Sequence, residues 1–99
     1  MLRITVLGAS GRMGRAVLRC IAESDDLKVA GAVTESTDPA MGCDAGEASG
    51  VDSLGVPLTN DRENGLHEAD AAIDFTLPSA TEANIRACVK AGVALVIGT

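Results

Sequence analysis

The chain has 99 residues, enough for one small domain, and a chain of this size buries roughly 60–70% of the surface its unfolded form exposes. Hydrophobic residues make up 46% and charged residues 22%, as in globular chains, and the net charge of −6 without any basic cluster leaves no electrostatic footprint for nucleic acid. The longest apolar runs fall far below the ~20 residues of a membrane span, and the N-terminus enters a strand without the charged and apolar regions of a signal peptide, so a cytoplasmic protein without a membrane partner is expected.

Phe75 is the one aromatic residue, and Ala and Val dominate the apolar set. Small and β-branched side chains suit parallel strands covered by helices. Residues 3–7 (R-I-T-V-L) read as a short buried strand, followed by a turn over 8–14. A helix is predicted over 11–23, with Met13, Val17, Cys20 and Ile21 as its apolar stripe and Asp25 and Asp26 closing it. Residues 27–33 read as the second strand, which ends just before Thr34 and Glu35. Residues 36–55, with Pro39 and four glycines, read as a long loop, either functional or mobile.

A short strand is predicted over 55–59, and Pro57 places it at an edge. A brief helix follows over 61–69, capped by Asn60 or Thr59 and weakened by Gly65. Residues 71–75 form the next strand. Ser79-Ala80-Thr81-Glu82 fits a capping box, opening a helix that carries Ile85, Cys88 and Val89 on one face and stops at Gly92. Residues 93–97 read as a last buried strand before Gly98 and Thr99, where a further loop and helix would ordinarily follow. Strands alternating with helices imply a parallel sheet, so the fold expected is α/β, a Rossmann-like doubly wound sheet.

The chemistry concentrates at Gly8-Ala9-Ser10-Gly11-Arg12-Met13-Gly14. Gly8 permits the tight turn, Gly11 lets backbone approach a phosphate, and Gly14 lets the helix pack close to the sheet. The helix N-terminus offers unpaired N–H groups to the pyrophosphate of NAD(H) or NADP(H). The spacing is G-x-x-G-x-x-G, and its place between a predicted strand and a predicted helix supplies the context it needs. Glu35, 21 residues after Gly14, stands where a dinucleotide site places an acid for the adenosine ribose hydroxyls. Ser36 follows it in place of a base, so the pair leans toward NADH; Arg12 offsets this if its side chain turns to the ribose.

The remaining candidates read as structural. Asp74, near the end of an apolar strand, reads first as an acid tying down neighbouring loop N–H groups and second as a ligand contact. His67 reads as solvated. Asp44 and Glu47 share one loop without metal-ligand geometry. Cys20, Cys43 and Cys88 match neither a disulfide framework nor a zinc pattern. Cys20 and Cys88 are expected on apolar helix faces as small hydrophobes, and Cys43 in an exposed loop. No nucleophile–base pair is present, so no residue of the chain is assigned as catalytic and none as a metal ligand.

Four segments together resemble the N-terminal part of the bacterial dihydrodipicolinate reductase (4-hydroxy-tetrahydrodipicolinate reductase) family: residues 8–15, the Asp44-Ala45-Gly46-Glu47 run, Ile73-Asp74-Phe75-Thr76 with Pro78, and Val96-Ile97-Gly98-Thr99. The resemblance covers essentially the whole chain. It implies that the nucleotide loop falls on Gly8, Ala9, Ser10, Gly11, Arg12 and Met13 and the ribose acid on Glu35. It also implies that Phe75 and Thr76 lie beside the cofactor, and that Gly98 and Thr99 begin the loop reaching the nicotinamide. The family often has a base after the ribose acid, and Ser36 departs from this.

By the same resemblance, residues 1–99 are the dinucleotide-binding domain, incomplete relative to the full family domain. A His-His pair, a Lys and a P-S-G-T run belong to a separate substrate and tetramerisation domain without counterpart in this sequence. The full enzyme is then a homotetramer of diaminopimelate and lysine biosynthesis that reduces a cyclic dicarboxylate by hydride transfer from nicotinamide. A free-standing NAD(P)-binding or redox-sensing module is the alternative. A short-chain reductase would need a Tyr-x-x-x-Lys pair, and the chain has no Tyr.

Overall fold

A computed structural model describes residues 1–98 of the chain. The apolar runs form β1 (Leu2–Leu7), β2 (Leu27–Val33), β3 (Leu58–Thr59), β4 (Ala71–Asp74) and β5 (Ala94–Ile97). All four strand pairs are parallel, in the order β3-β2-β1-β4-β5. Parallel neighbours need crossovers, which here carry α1 (Arg12–Glu23), α2 (Ala45–Ala48), α3 (Arg62–Leu66) and α4 (Pro78–Ala91). Side chains alternate across each strand, so the sheet buries both faces. Ile4 and Val6 join Leu18 and Ile21 of α1, while Leu7 and Val33 join Leu66 of α3 and Cys88 of α4.

Helix phase departs from the predicted stripes. α1 buries Gly14, Leu18 and Ile21, with Val17 partly covered; Met13 is 56% exposed and Cys20 lies on the surface. The roll is set where α1 meets the preceding turn, since a Cβ on Gly14 would stand 2.1 Å from the Gly8 carbonyl oxygen. α4 likewise buries Asn84 and Cys88, whereas Ile85 and Val89 are 41% and 76% exposed. A polar residue holds the centre of its buried face, so an apolar stripe misses the phase.

The capping box does not form. α4 begins at Pro78, one residue before Ser79, and its N-cap Leu77 makes no side-chain cap. Proline is pre-set for a first helical position, where its missing N–H would have no intrahelical partner in any case, and this places Ser79 inside the helix. α3 is shorter than predicted and is capped by Asp61, which accepts from the Asn64 amide at 3.2 Å. Gly31 and Gly65 together let α3 lie against β2: a Cβ on Gly31 would stand 2.0 Å from the Gly65 carbonyl, which accepts a buried 2.6 Å bond from Thr5 Oγ1, and a Cβ on Gly65 would stand 2.4 Å from Val33 Cγ2.

The long loop is organised rather than loose. Asp44 caps α2 through the Glu47 amide and also accepts from the Leu54 and Val56 amides, at 3.0, 3.0 and 3.1 Å. β3 sits at the sheet edge, as Pro57 led us to expect, and Pro57 itself bridges to Asp44.

Candidate functional site

The strand order turns between β1 and β4, whose onward connections lead to α1 on one face and α4 on the other. Ligands of open α/β sheets bind in the crevice at such a switch point, beyond the carboxyl ends of the strands. A cleft of about 710 Å³ lies there, lined by the segments that follow β1, β2, β3 and β4. Its size is that of a small-molecule site.

The wall after β1 is the glycine turn. Gly8 has φ +83°, and its amide and that of Ala9 both donate to the Val33 carbonyl, at 2.8 and 3.0 Å. The turn is thus fixed to the end of β2. A Cβ on Gly11 would have one neighbour within 4 Å, the Gly8 carbonyl oxygen at 3.5 Å, so the turn is open at that point. α1 starts without a side-chain cap, and the Arg12 and Met13 amides meet no acceptor among the described residues. Unpaired first-turn amides on an open turn suit an anion.

After β2 come two carboxylates with different roles. Glu35 is exposed, lines the cleft and has no side-chain partner among the described residues. Asp38 Oδ2 accepts from Ser10 Oγ at 2.5 Å, Ser10 Oγ also meets Thr34 Oγ1 at 2.5 Å, and the Ala40 amide donates to Asp38 Oδ1 at 2.8 Å. The Ser10 hydroxyl, then the Ala40 amide, hold the Asp38 carboxyl below its ordinary value. Asp38 thereby latches the glycine turn to the segment after β2. Sequence reading passed over it, although an Asp two residues before a free amide is the signature of an Asx turn.

The wall after β4 rests on a buried polar chain. Asp74 is fully buried; its Oδ1 accepts from the Thr76 amide at 2.7 Å and the Thr76 hydroxyl at 2.5 Å, and its Oδ2 accepts from Asn84 Nδ2 at 3.1 Å. Asn84 Oδ1 in turn accepts from Arg62 Nε at 2.6 Å. Asp74 therefore plays the structural part expected of it. Asn84 and Arg62, both lining the cleft, carried no sequence signal.

Of the candidate residues, Gly8, Ser10, Gly11, Glu35, Phe75 and Thr76 line the cleft together. Ala9 is buried beneath the turn, while the Arg12 and Met13 side chains are exposed and do not line the cleft. Gly98 donates its amide to the Asp74 carbonyl at 2.8 Å, and a Cβ there would stand 2.4 Å from the Phe75 ring. It supports Phe75 rather than lining the cleft. Thr99 lies outside the described residues. His67 is exposed, and Asp44 is engaged with backbone amides. Among the described residues, no group of three or more His, Cys, Asp or Glu side chains is placed to hold a metal, and no helix is long and apolar enough to cross a membrane.

The family described as "Dihydrodipicolinate reductase, N-terminus" matches residues 2–99. The 4-hydroxy-tetrahydrodipicolinate reductase of Alkalilimnicola ehrlichii is 44% identical over 97 residues, covering 98% of this chain and 36% of that protein. That of Anaeromyxobacter dehalogenans (strain 2CP-C) is 43% identical over 99 residues, covering 100% of this chain and 37% of the relative. The chain thus spans little more than a third of these relatives' length. A dipicolinate-bound dihydrodipicolinate reductase from Paenisporosarcina sp. TG-14 superposes with a TM-score of 0.77 at 20% identity, over 100% of this chain and 37% of that one. At that identity the likeness is one of fold.

Proposed function

The chain belongs to the family of dihydrodipicolinate reductase N-terminal regions, and from that premise we propose that residues 1–99 are the dinucleotide-binding domain of a nicotinamide-dependent reductase. The observation that carries the proposal is the cleft lined by the open glycine turn and the unpartnered Glu35, with the unpaired first amides of α1 following directly on Gly11. In this reading the Arg12 and Met13 amides bind the pyrophosphate, Glu35 accepts from the ribose hydroxyls, and Phe75 and Thr76 border the cofactor. When bound, the nicotinamide supplies the hydride, and the chain's own residues orient it. The turn is held for that task by Asp38 and Val33, so little ordering remains to be done on binding.

The reaction proposed for the whole protein is the one its relatives are named for, 4-hydroxy-tetrahydrodipicolinate reduction, read here as hydride transfer to a cyclic dicarboxylate, with the cytoplasm as the proposed compartment. Substrate contacts and homotetramer contacts are assigned to a further domain. The family match does not favour a free-standing sensing module. NADH is the proposed cofactor of choice. Glu35 and Asp38 both follow β2, where the ribose is placed, and Ser36 between them brings no positive charge, so a 2′-phosphate there would meet two carboxylates; the Arg62 cation of the same cleft comes instead from α3, where it is bonded to Asn84. Titration calorimetry of the chain with NADH and NADPH tests both parts. Binding with NADH preferred is the expected outcome; equal dissociation constants would end the preference, and no binding would end the cofactor assignment.

A further inference from the structure

Arg62 lines the cleft, and the cofactor reading above gives it no role. It opens α3 directly after β3, two strands from the glycine turn. Asp61 and Glu63 flank it in sequence, yet it pairs with no carboxylate among the described residues. Its one side-chain bond among the described residues runs from Nε to Asn84 Oδ1 at 2.6 Å. Asn84 is 1% exposed, and its amide nitrogen donates to Asp74 Oδ2 and to Thr76 Oγ1 (2.8 Å), which fixes its carbonyl oxygen toward Arg62. A buried polar chain therefore aims a cation along the cleft wall. The four remaining guanidinium N–H donors have no protein acceptor among the described residues.

Arg62 is half-buried, so those donors are left to solvent or to a ligand in the cleft. A solvated surface arginine needs no buried asparagine to hold its Nε. In the same cleft, Leu77 and Ala80 bring apolar surface from the start of α4. A planar cation and an apolar surface sharing one cleft suit a flat heterocycle whose ring nitrogens accept hydrogen bonds. The position agrees with the rest of the site. With the pyrophosphate at the β1 turn and the ribose at the end of β2, the base beyond the ribose reaches the ends of β2 and β3, where Arg62 stands.

We propose that Arg62, held by Asn84, contacts the adenine base of the dinucleotide and is a determinant of cofactor affinity common to NADH and NADPH. The inference rests on the cofactor reading given above. Its test is calorimetry of the chain and of its Arg62→Met and Arg62→Lys variants with NADH and with NADPH, with thermal unfolding of each protein alongside. Arg62→Met is expected to weaken both cofactors by a similar factor, about tenfold. Arg62→Lys keeps the charge but not the plane and is expected to recover only a minor part. A loss confined to NADPH, or full recovery by lysine, overturns the proposal by assigning the cation to a phosphate. A lowered melting temperature with both dissociation constants unchanged also overturns it, leaving Arg62 a packing role and the cofactor reading intact. No binding by the unsubstituted chain removes both readings together.

Discussion

Gly11 and Gly14 are three residues apart in one turn, yet the structure gives their substitutions opposite consequences. Gly11 has φ −72° and ψ 168°, an extended conformation open to any residue, and a Cβ there meets only the Gly8 carbonyl oxygen at ordinary contact distance. Gly11→Val therefore loses at most ~1 kcal/mol as a poorer N-cap. It recovers a similar amount, about 0.4–1 kcal/mol, because the unfolded chain becomes less free. The branched side chain nevertheless occupies the open side of the turn, where the proposed reading places the pyrophosphate. Losing two charge-assisted bonds costs about 3 kcal/mol or more, a weakening above 100-fold in dissociation constant.

Gly14→Ala is the reverse case. Its Cβ would lie 2.1 Å from the Gly8 carbonyl oxygen and 2.9 Å from the Ala9 Cα, both backbone atoms that cannot swing aside. Overpacking of this kind costs about 1–3 kcal/mol, and each kcal/mol lowers the melting temperature of a domain this small by roughly 4–8 °C. The pair is read by calorimetry with NADH and by thermal circular dichroism. Expected are an unchanged melting temperature with lost binding for Gly11→Val, and a melting temperature lower by about 10 °C for Gly14→Ala. A Gly11→Val protein that binds NADH as tightly as its parent would refute the placement of the pyrophosphate.

Three further outcomes follow from the buried and loop carboxylates and the thiols. Asp74→Ala leaves the Thr76 amide and hydroxyl and the Asn84 amide group without their acceptor, and denaturant titration should show a loss of about 2–3 kcal/mol. For Asp44, burial alone raises the carboxyl pKa, but the Glu47, Leu54, Val56 and Gly55 amides outweigh it and lower it to about 2 from 3.8. A depressed folded pKa adds stability above the unfolded value, so Asp44 supports its loop above about pH 4 and releases it as pH falls toward 2. Asp44→Asn should flatten that part of the stability profile. Burial, with Asp74 nearby, raises the Cys88 thiol pKa, whereas Cys20 and Cys43 are exposed. Iodoacetamide should modify those two in the native chain and reach Cys88 only after unfolding, as peptide mass mapping would show.

Much of the architecture was legible because hydrophobic runs and glycines report directly on a parallel sheet. β2 follows the predicted residues 27–33, and β1, β4 and β5 differ by one residue at an end. What failed were the burial expected of the last strand, since β5 leaves Val96 and Ile97 exposed, and the rotations of helices about their own axes. Periodicity assumes that apolar residues mark the buried face, but α1 is oriented by the absence of a side chain at Gly14 and α4 by the polar Asn84. Met13, Ile85 and Val89 are therefore exposed despite their spacing. The capping box failed for a related reason: Pro78 sets the start of α4 through its own ring, which a side-chain motif starting at Ser79 does not register.

The same distinction separates the site residues that could be found from those that could not. Glu35 was found by counting from the glycine turn, and in the structure it is the cleft-lining carboxylate without a side-chain partner among the described residues. Asp38, the other acid on the cleft, is committed to Ser10, Thr34 and the Ala40 amide, so it shapes the turn instead of awaiting a ligand. A backbone-fixed spacing is visible in one dimension. A bond such as Asn84 to Arg62 joins α4 to α3 across 22 positions, through side chains that belong to no motif. A glycine turn of the kind that holds phosphates in such sheets is thus written into local sequence, while side chains that reach the cleft from other elements are placed by long-range contacts. Arg62 belongs to the second group, and for that reason its substitution tests more than the glycine turn does.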